Sequence, residues 1–141
     1  MNSRERVLNS INHEEADCIP FDLGGMAQSG IHRTAYINLR KFLGLPEKEV
    51  DLLNIITQVA RQDKDFNERL KIDTQIIYGK WANSKKITLQ DDGDYYSYID
   101  EWGIGRRMPK VGGYYYDMYF HPLDMNDVRE GLKTYTWPDP T

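Results

Sequence analysis

The stretch that decides the fold is the first segment, Ser3-Arg-Glu-Arg-Val-Leu-Asn-Ser-Ile-Asn-His-Glu-Glu-Ala-Asp-Cys-Ile-Pro-Phe-Asp-Leu-Gly-Gly25. Its serine can accept a hydrogen bond from an unpaired N–H group in the first turn of a helix, and apolar residues recur at helical spacing over residues 7–11. After a polar break, residues 18–23 predict a short buried strand that ends at two glycines. Strands with such ends deliver side chains and bare backbone to the pockets of α/β enzymes.

The next elements continue a helix and strand pattern. Ser29 is the expected cap of a second helix, whose apolar stripe runs over residues 31–43, and Gly44 with Pro46 ends it. The apolar run at residues 52–56 fits a strand or a buried helix equally well. Asp63 or Asp65 is expected to open a third helix, and residues 72–78 predict a second buried strand of the parallel type.

The second half of the chain is rich in β-branched and aromatic residues. A turn at Asp92-Gly93 predicts a hairpin between residues 87–90 and 95–99, because glycine accepts the positive φ that such turns need. Two further strands are expected near residues 103–108 and 114–120. The tyrosines here favour a cross-strand aromatic ladder over a stacking platform for a flat cofactor. A short helix capped by Asp124 or Asn126 and an extended tail complete a predicted division into residues 1–80, 81–123 and 124–141.

Composition excludes several classes of protein. The chain has 141 residues, 40% of them hydrophobic, and a formal charge of −4. No basic run marks a nucleic-acid surface, and no apolar run reaches the roughly 18 residues of a membrane span. Cys18 is the single cysteine, so no intramolecular disulfide can form. Without a recognisable export signal, the expected location is the cytoplasm.

Four residues near the predicted first strand are candidates for a ligand pocket. Asp22, at the end of that strand, is placed to bind a polar or cationic group, although an aspartate there commonly caps a turn. Gly24 and Gly25 bring bare backbone to the same point, or simply form a tight turn. His32 follows in the first turn of the second helix, where histidines are usually surface residues. The three histidines of the chain lie in separate segments, so no metal site is predicted. No residue of this chain is predicted to be catalytic.

The opening segment resembles the N-terminal part of the uroporphyrinogen decarboxylase superfamily, and is closer to its corrinoid- and cobamide-dependent methyltransferases than to the decarboxylase. Further landmarks of that branch follow in the expected order along nearly the whole chain. These landmarks are residues 36–44, residues 65–78, Asp100-Glu-Trp-Gly103, His121-Pro-Leu123 and Tyr135-Thr-Trp-Pro-Asp-Pro140. Each piece is short, and the ordered set gives the resemblance its specificity.

The resemblance implies an α/β fold, namely the N-terminal portion of a TIM (β/α)8-type barrel with an antiparallel β-hairpin excursion. A complete barrel needs roughly 200 residues or more, so the chain would be the front part of such an enzyme. The implied function is corrinoid-linked methyl transfer of the methyltransferase or O-demethylase type, with no activity in this chain alone. The alternatives are a stand-alone binding or subunit-complementing module and, more weakly, a diverged uroporphyrinogen decarboxylase.

The chain departs from the true decarboxylase at two places. That enzyme carries an arginine-rich signature after the first strand to grip carboxylates, whereas here no arginine occurs between Asp22 and Arg33. It also has an aspartate after the second strand, where this chain has Tyr78 and Lys80, which we add to the candidate pocket. Without these arginines, the charge-assisted bonds that would hold a polyanionic tetrapyrrole are missing.

Cofactors and partners follow from the same resemblance. The zinc and corrinoid of the methyltransferase branch are implied for a complete enzyme only, since its zinc ligands come from later strands. This chain alone is expected to bind neither. The two predicted parallel strands would leave an open edge and an apolar surface, so we expect a homo-oligomer or a complementing chain, with a corrinoid protein as a further expected partner. No nucleic acid or membrane partner is expected.

Overall fold

The computed structural model describes residues 1–77 and 87–138. The chain divides into two compact units, Met1–Tyr78 and Gly79–Thr141. In the described ranges, no helix combines the length and the apolar character that crossing a membrane requires.

Three α-helices and one 3-10 turn lie in the described part of the first unit. Helix α1 spans Ser3–Ile11, helix α2 spans Arg33–Phe42, helix α3 spans Lys64–Leu70, and the 3-10 turn spans Ala27–Ser29.

The caps of the first two helices differ from the prediction. Asn2 caps α1 instead of Ser3: its side-chain oxygen accepts a hydrogen bond from the Glu5 N–H at 2.9 Å, and the Glu5 carboxylate accepts one from the Asn2 N–H at 3.0 Å. His32 caps α2, whereas Ser29 lies in the preceding 3-10 turn. A glycine at the end of α2 was correctly predicted, since Gly44 has a φ of +69°.

A small antiparallel sheet lies beside the start of α2. Strand β1 spans Leu52–Asn54 and pairs with β2, Val59–Ala60. The segment before α2 adds to it, because the Ala60 N–H donates to the Ile31 carbonyl at 3.0 Å and the Arg33 N–H donates to the Gln58 carbonyl at 2.8 Å. The ambiguous apolar run therefore begins as a strand.

The predicted barrel portion is wrong. Both sheets among the described residues are antiparallel, with two and four strands, and neither residues 18–23 nor residues 72–77 form a strand. These two segments do lie side by side, since the Asp73 N–H donates to the Phe21 carbonyl at 2.9 Å. The Phe21 N–H, however, donates to the Asp73 carboxylate at 2.9 Å rather than to a backbone carbonyl, and Pro20 has no N–H to donate. A parallel ladder therefore does not form.

The core of the first unit is small. Tyr36, Ala60 and Phe66 are each at most 1% exposed. The rings of Tyr36 and Phe66 meet edge to face, with their centroids 4.7 Å apart. This core joins α2, β2 and α3, and partly buried leucine, isoleucine and valine side chains pack around it.

A buried arginine lies beside this core. Arg40 is 3% exposed, and its guanidinium donates two hydrogen bonds to the Asp65 carboxylate, at 3.0 and 2.9 Å. It also donates to Asp63 at 3.1 Å, to the Tyr36 hydroxyl at 3.2 Å and to the Pro46 carbonyl at 2.9 Å. The hydrogen bonds from Arg40 lower the pKa of Asp65 to about 2. The buried charge is therefore paired, as a stable interior requires.

The second unit is built on a four-stranded antiparallel sheet. Its strands follow one another in chain order: β3 Gln90–Asp92, β4 Tyr95–Ile99, β5 Gly105–Pro109 and β6 Asp117–Phe120. The predicted hairpin forms, since Asp92 pairs with Tyr95 and Gly93 has a φ of +60°. Its two-residue turn is Gly93-Asp94 instead of Asp92-Gly93, and its first strand is Gln90–Asp92 instead of residues 87–90.

A helix and an aromatic pair complete the second unit. On one face of the sheet, the rings of Tyr98 and Tyr116 are nearly buried and lie 5.0 Å apart, edge to face. Helix α4 spans Val128–Thr134 and is capped by Asp127, whose carboxylate accepts from the N–H groups of Arg129 and Glu130. Neither Asp124 nor Asn126, the predicted caps, occupies that position.

The Arg40 and Asp65 pair makes the stability of the first unit depend on acid pH. Because the folded pKa of Asp65, about 2, lies below its ordinary value of 3.8, its stabilising effect is complete above pH 3.8 and is lost as the pH falls towards 2. We expect Asp65→Asn to lower the urea midpoint at pH 7. We also expect its free energy of unfolding to change less steeply with pH between pH 4 and pH 2. Equal slopes for the two proteins in urea titrations over that range would contradict this assignment.

Candidate functional site

The candidate ligand residues around Asp22 form one tight turn. The Asp22 carboxylate accepts a hydrogen bond from the Gly25 N–H at 2.9 Å and a short one from the Thr74 hydroxyl. The Gly24 N–H donates to the Ser29 carbonyl at 3.0 Å, which closes the loop. Asp22 therefore connects its own turn to the segment that follows α3.

Both glycines are required by this geometry. Gly24 has a φ of +82°, and a β-carbon there would lie 2.7 Å from the side-chain amide of Gln62. A β-carbon on Gly25 would overlap the Asp22 carboxylate and the Thr74 side chain. The backbone approach that we expected of the glycine pair is thus made to neighbouring side chains of the same chain.

The electrostatics of the turn favour an ionised Asp22. Hydrogen bonds from Thr74 first, and then from Ser29 and the Gly25 N–H, hold the pKa of Asp22 below its ordinary value. A carboxylate that accepts several hydrogen bonds is stabilised in its charged form. Asp22 is exposed, so it remains open to water while bonded to its own turn.

An ion-pair network around Arg6 lies next to this turn in the chain, because Asp73 precedes Thr74. The Arg6 guanidinium donates to Asp17 at 2.7 and 2.9 Å and to Asp73 at 2.5 Å. The hydrogen bond from Arg6 lowers the pKa of Asp17, and that from the Phe21 N–H, ahead of the smaller contribution of Arg6, lowers the pKa of Asp73. Arg6 thereby connects helix α1 to the loop that follows it and to the segment after α3.

A surface cleft of about 720 Å3 opens beside this network. Its walls come from the start of α1, from α3 and from residues 71–75, and they include Arg6, Gln62, Asn67, Asp73 and Thr74. Asp73 and Thr74 are bonded to Arg6 and Asp22 respectively, so these groups are already satisfied within the unit. The lining of the cleft combines polar and apolar surface with charges of both signs, and Thr74 connects it to the Asp22 turn.

His32 is the remaining predicted site residue that the structure describes. His32 caps α2, and its Nδ1 accepts a hydrogen bond from the Thr34 N–H at 3.2 Å. Tyr78 and Lys80 lie outside the described residues. Within residues 1–77 and 87–138, no group of three or more histidine, cysteine, aspartate or glutamate side chains is arranged to hold a metal ion.

Sequence reasoning missed both the Thr74 partner of Asp22 and the pair of Arg6 with Asp73. Thr74 and Asp73 lie inside the run that was predicted to be a strand, and Arg6 lies on the polar face of α1. The available signal was that Asp73 and Thr74 interrupt an apolar run, which disfavours a strand buried on both faces. Nothing in the sequence pairs Arg6 with a residue 67 positions away.

Comparison of the chain with protein-family models, with curated proteins and with solved structures finds no match. The resemblance to the uroporphyrinogen decarboxylase superfamily therefore rests on the sequence landmarks alone.

The hydrogen bonds of Asp22 predict a measurable contribution to stability. Asp22→Ala removes the acceptor for Gly25 and Thr74, and should lower the free energy of unfolding by about 1–2 kcal/mol, as expected for hydrogen bonds to a charged group at a partly solvated site. Asp51→Ala is the matched control, because no side-chain bond joins Asp51 to the described residues, and it should change stability by less than about 0.5 kcal/mol. Equal losses in urea unfolding would show that Asp22 does not hold the turn.

Proposed function

We propose that this chain is the N-terminal part of an enzyme of the uroporphyrinogen decarboxylase superfamily that serves corrinoid-linked methyl transfer, of the methyltransferase or O-demethylase type. The ordered landmarks from Ser3 to Pro140 support the proposal. The proposal concerns the enzyme family and its chemistry. It does not include the predicted barrel portion, which the antiparallel sheets contradict. The proposed location is the cytoplasm.

The proposal assigns no catalytic residue to this chain. Asp22, the first ligand-binding candidate from the sequence, already accepts hydrogen bonds from Gly25 and Thr74. Zinc and corrinoid, which the family implies, would be bound by the complete enzyme. The chain alone is therefore proposed to be inactive in methyl transfer.

The observation that carries the need for a partner is the exposure of large apolar side chains on a unit with a small core. Ile19 is 90% exposed, Phe42 is 85% exposed and Ile77 is 94% exposed. Burial of each side chain would contribute about 1.5–3 kcal/mol. We therefore propose that the first unit associates with a complementing chain or with a second copy of itself, and that a corrinoid protein is a further partner of the assembled enzyme.

The second candidate function is a stand-alone binding module, and the cleft favours it. A recess in which Gln62, Asn67 and Arg6 offer polar groups beside apolar surface is suited to a small ligand, and it needs no second chain. A diverged uroporphyrinogen decarboxylase is the weakest candidate. No arginine follows Asp22 before Arg33, so the substrate carboxylates would lack their partners.

Association can be tested with one variant and one control. Sedimentation velocity at micromolar concentration should show the full chain as an oligomer, and the triple variant Ile19→Ser, Phe42→Ser and Ile77→Ser should shift it towards monomer. Val111→Ser changes a side chain that is 92% exposed in the other unit, so it should leave the distribution unchanged. If the full chain sediments as a monomer at every concentration, self-association is excluded, and the complementing chain is the remaining partner to test.

The enzymatic proposal is tested by reconstitution. The purified chain with methylcobalamin and a thiol should show no demethylation of the cobalamin by absorbance. A chain captured from the source cells counts as the complement only if adding it restores demethylation, and if the triple variant restores less. Demethylation by the purified chain alone would contradict the proposal. So would the absence of demethylation with every chain that the purified chain captures from the source cells.

A further inference from the structure

Two amide side chains near the start of helix α3 are buried without hydrogen-bond partners. The Gln62 Nε2 and Asn67 Oδ1 atoms are shielded from solvent, and neither bonds to any group among the described residues. Both residues line the surface cleft of the first unit. Because a buried polar group without a partner destabilises a fold, two such amides in the wall of a cleft indicate a binding role.

The positions of these amides relative to α3 make them neighbours. Asp63 is the N-cap of α3, so Gln62 is the residue before the cap and Asn67 is the fourth residue of the helix. In a hydrophobic staple, apolar side chains at these two positions pack on each other and fix the entry of the chain into the helix. Here both positions carry amides, so a local stabilising contact is replaced by a donor beside an acceptor.

The structure around the two amides holds them in place. The Asn67 carbonyl accepts a hydrogen bond from the Ile72 N–H at 3.0 Å, which fixes the backbone of the helix there. The Gln62 amide lies against Gly24, where a β-carbon would be 2.7 Å from it. The terminal torsions of asparagine and glutamine are soft, so each amide plane can turn towards the cleft without a change in the backbone. A ligand therefore meets two groups that need little reorganisation.

The charges around the cleft do not favour an ion over a neutral ligand. Three cationic side chains and two carboxylates line it. Arg6 donates to Asp73, and the Lys64 ammonium is 3.5 Å from the Glu68 carboxylate. The third cation, Lys71, lies between Glu68 and Asp73 in the chain. A charged ligand would therefore meet both signs, and the two neutral amides decide what binds.

We propose that the cleft binds a small neutral molecule through a carboxamide group. Its carbonyl accepts a hydrogen bond from the Gln62 amide, and its N–H donates to Asn67 Oδ1. A carboxamide suits this pair because it combines an acceptor and donors in one plane. The rest of the ligand lies along the apolar part of the lining, which includes Ile72, in a cleft whose volume of about 720 Å3 suits small molecules. This inference rests on the stand-alone binding module, the second candidate function above, and names its class of ligand.

Three matched probes test the proposal on the full chain. Benzamide should give saturable shifts of the Gln62 and Asn67 side-chain amide signals in proton–nitrogen NMR spectra. It should bind roughly fivefold more tightly than methyl benzoate, which keeps the ring and the carbonyl but has no N–H to donate. Equal affinity, or no saturable shift with benzamide, would overturn the proposal. Tighter binding of benzoate would also overturn it, because the cleft would then select a negative charge.

Variants separate a binding role from a structural one. Gln62→Met and Asn67→Leu each remove an amide and supply an apolar side chain of similar size. Each should weaken benzamide binding by roughly fivefold and should also raise the midpoint of urea unfolding, because an unpartnered buried polar group is lost. Gln28→Met changes an exposed glutamine that does not line the cleft, and should leave the affinity for benzamide unchanged. Unchanged affinity in the two cleft variants, or a lower urea midpoint in both, would contradict the proposal.

A further titration distinguishes this inference from the binding module on which it rests. A set of small neutral alcohols, ketones and esters is added to the full chain under the same conditions. Saturable shifts at the cleft with these compounds, but none with benzamide, would keep the binding module and overturn the carboxamide. The absence of saturable shifts with every compound would overturn both.

Discussion

The first unit depends on the paired burial of Arg40. Its guanidinium contacts Tyr36, Asp63, Asp65 and the Pro46 carbonyl, and so connects α2, the loop that follows it and the start of α3. A buried charge left without partners costs several kcal/mol, which forces these segments into one arrangement. The Tyr36 hydroxyl adds to the constraint by accepting a hydrogen bond from the Asp63 N–H at 2.9 Å. The three-residue apolar core is therefore supported by a polar network that also fixes its geometry.

A second network decides the course of the chain around this core. Asp73 accepts hydrogen bonds from Arg6 and from the Phe21 N–H, so a side chain occupies the position that a neighbouring strand would take. These hydrogen bonds to Asp73 place the neighbouring Thr74 beside Asp22, where its hydroxyl donates to the Asp22 carboxylate in the turn described above. Large apolar side chains on the adjoining segments, such as Ile19 and Ile77, remain exposed as a consequence. The proposed association of the first unit follows from this arrangement.

The elements that the sequence predicted well are those set by local interactions. Asp63 at the start of α3, Gly44 at the end of α2 and the turn at Gly93 each depend on residues close in the chain. The prediction of strands at residues 18–23 and 72–78 is wrong because strand pairing depends on the hydrogen-bonding groups that a distant segment presents. Asp73 offers a carboxylate to Phe21, and this choice is not visible in a hydrophobic pattern. The sequence identified Asp22 and the glycine pair as a feature, but not Thr74 or Gln62 as their neighbours.

Amide hydrogen exchange measured by NMR on the full chain tests most directly the claim that Arg40 organises the first unit. Exchange is slowest where opening requires the unfolding of a whole cooperative unit. The N–H groups of Asp63 and Phe66, which are held by Tyr36 and Asp65, should be among the most protected of residues 1–77, and Arg40→Ala should remove that protection. Rapid exchange at both amides in the natural chain, or unchanged protection in Arg40→Ala, would contradict the account.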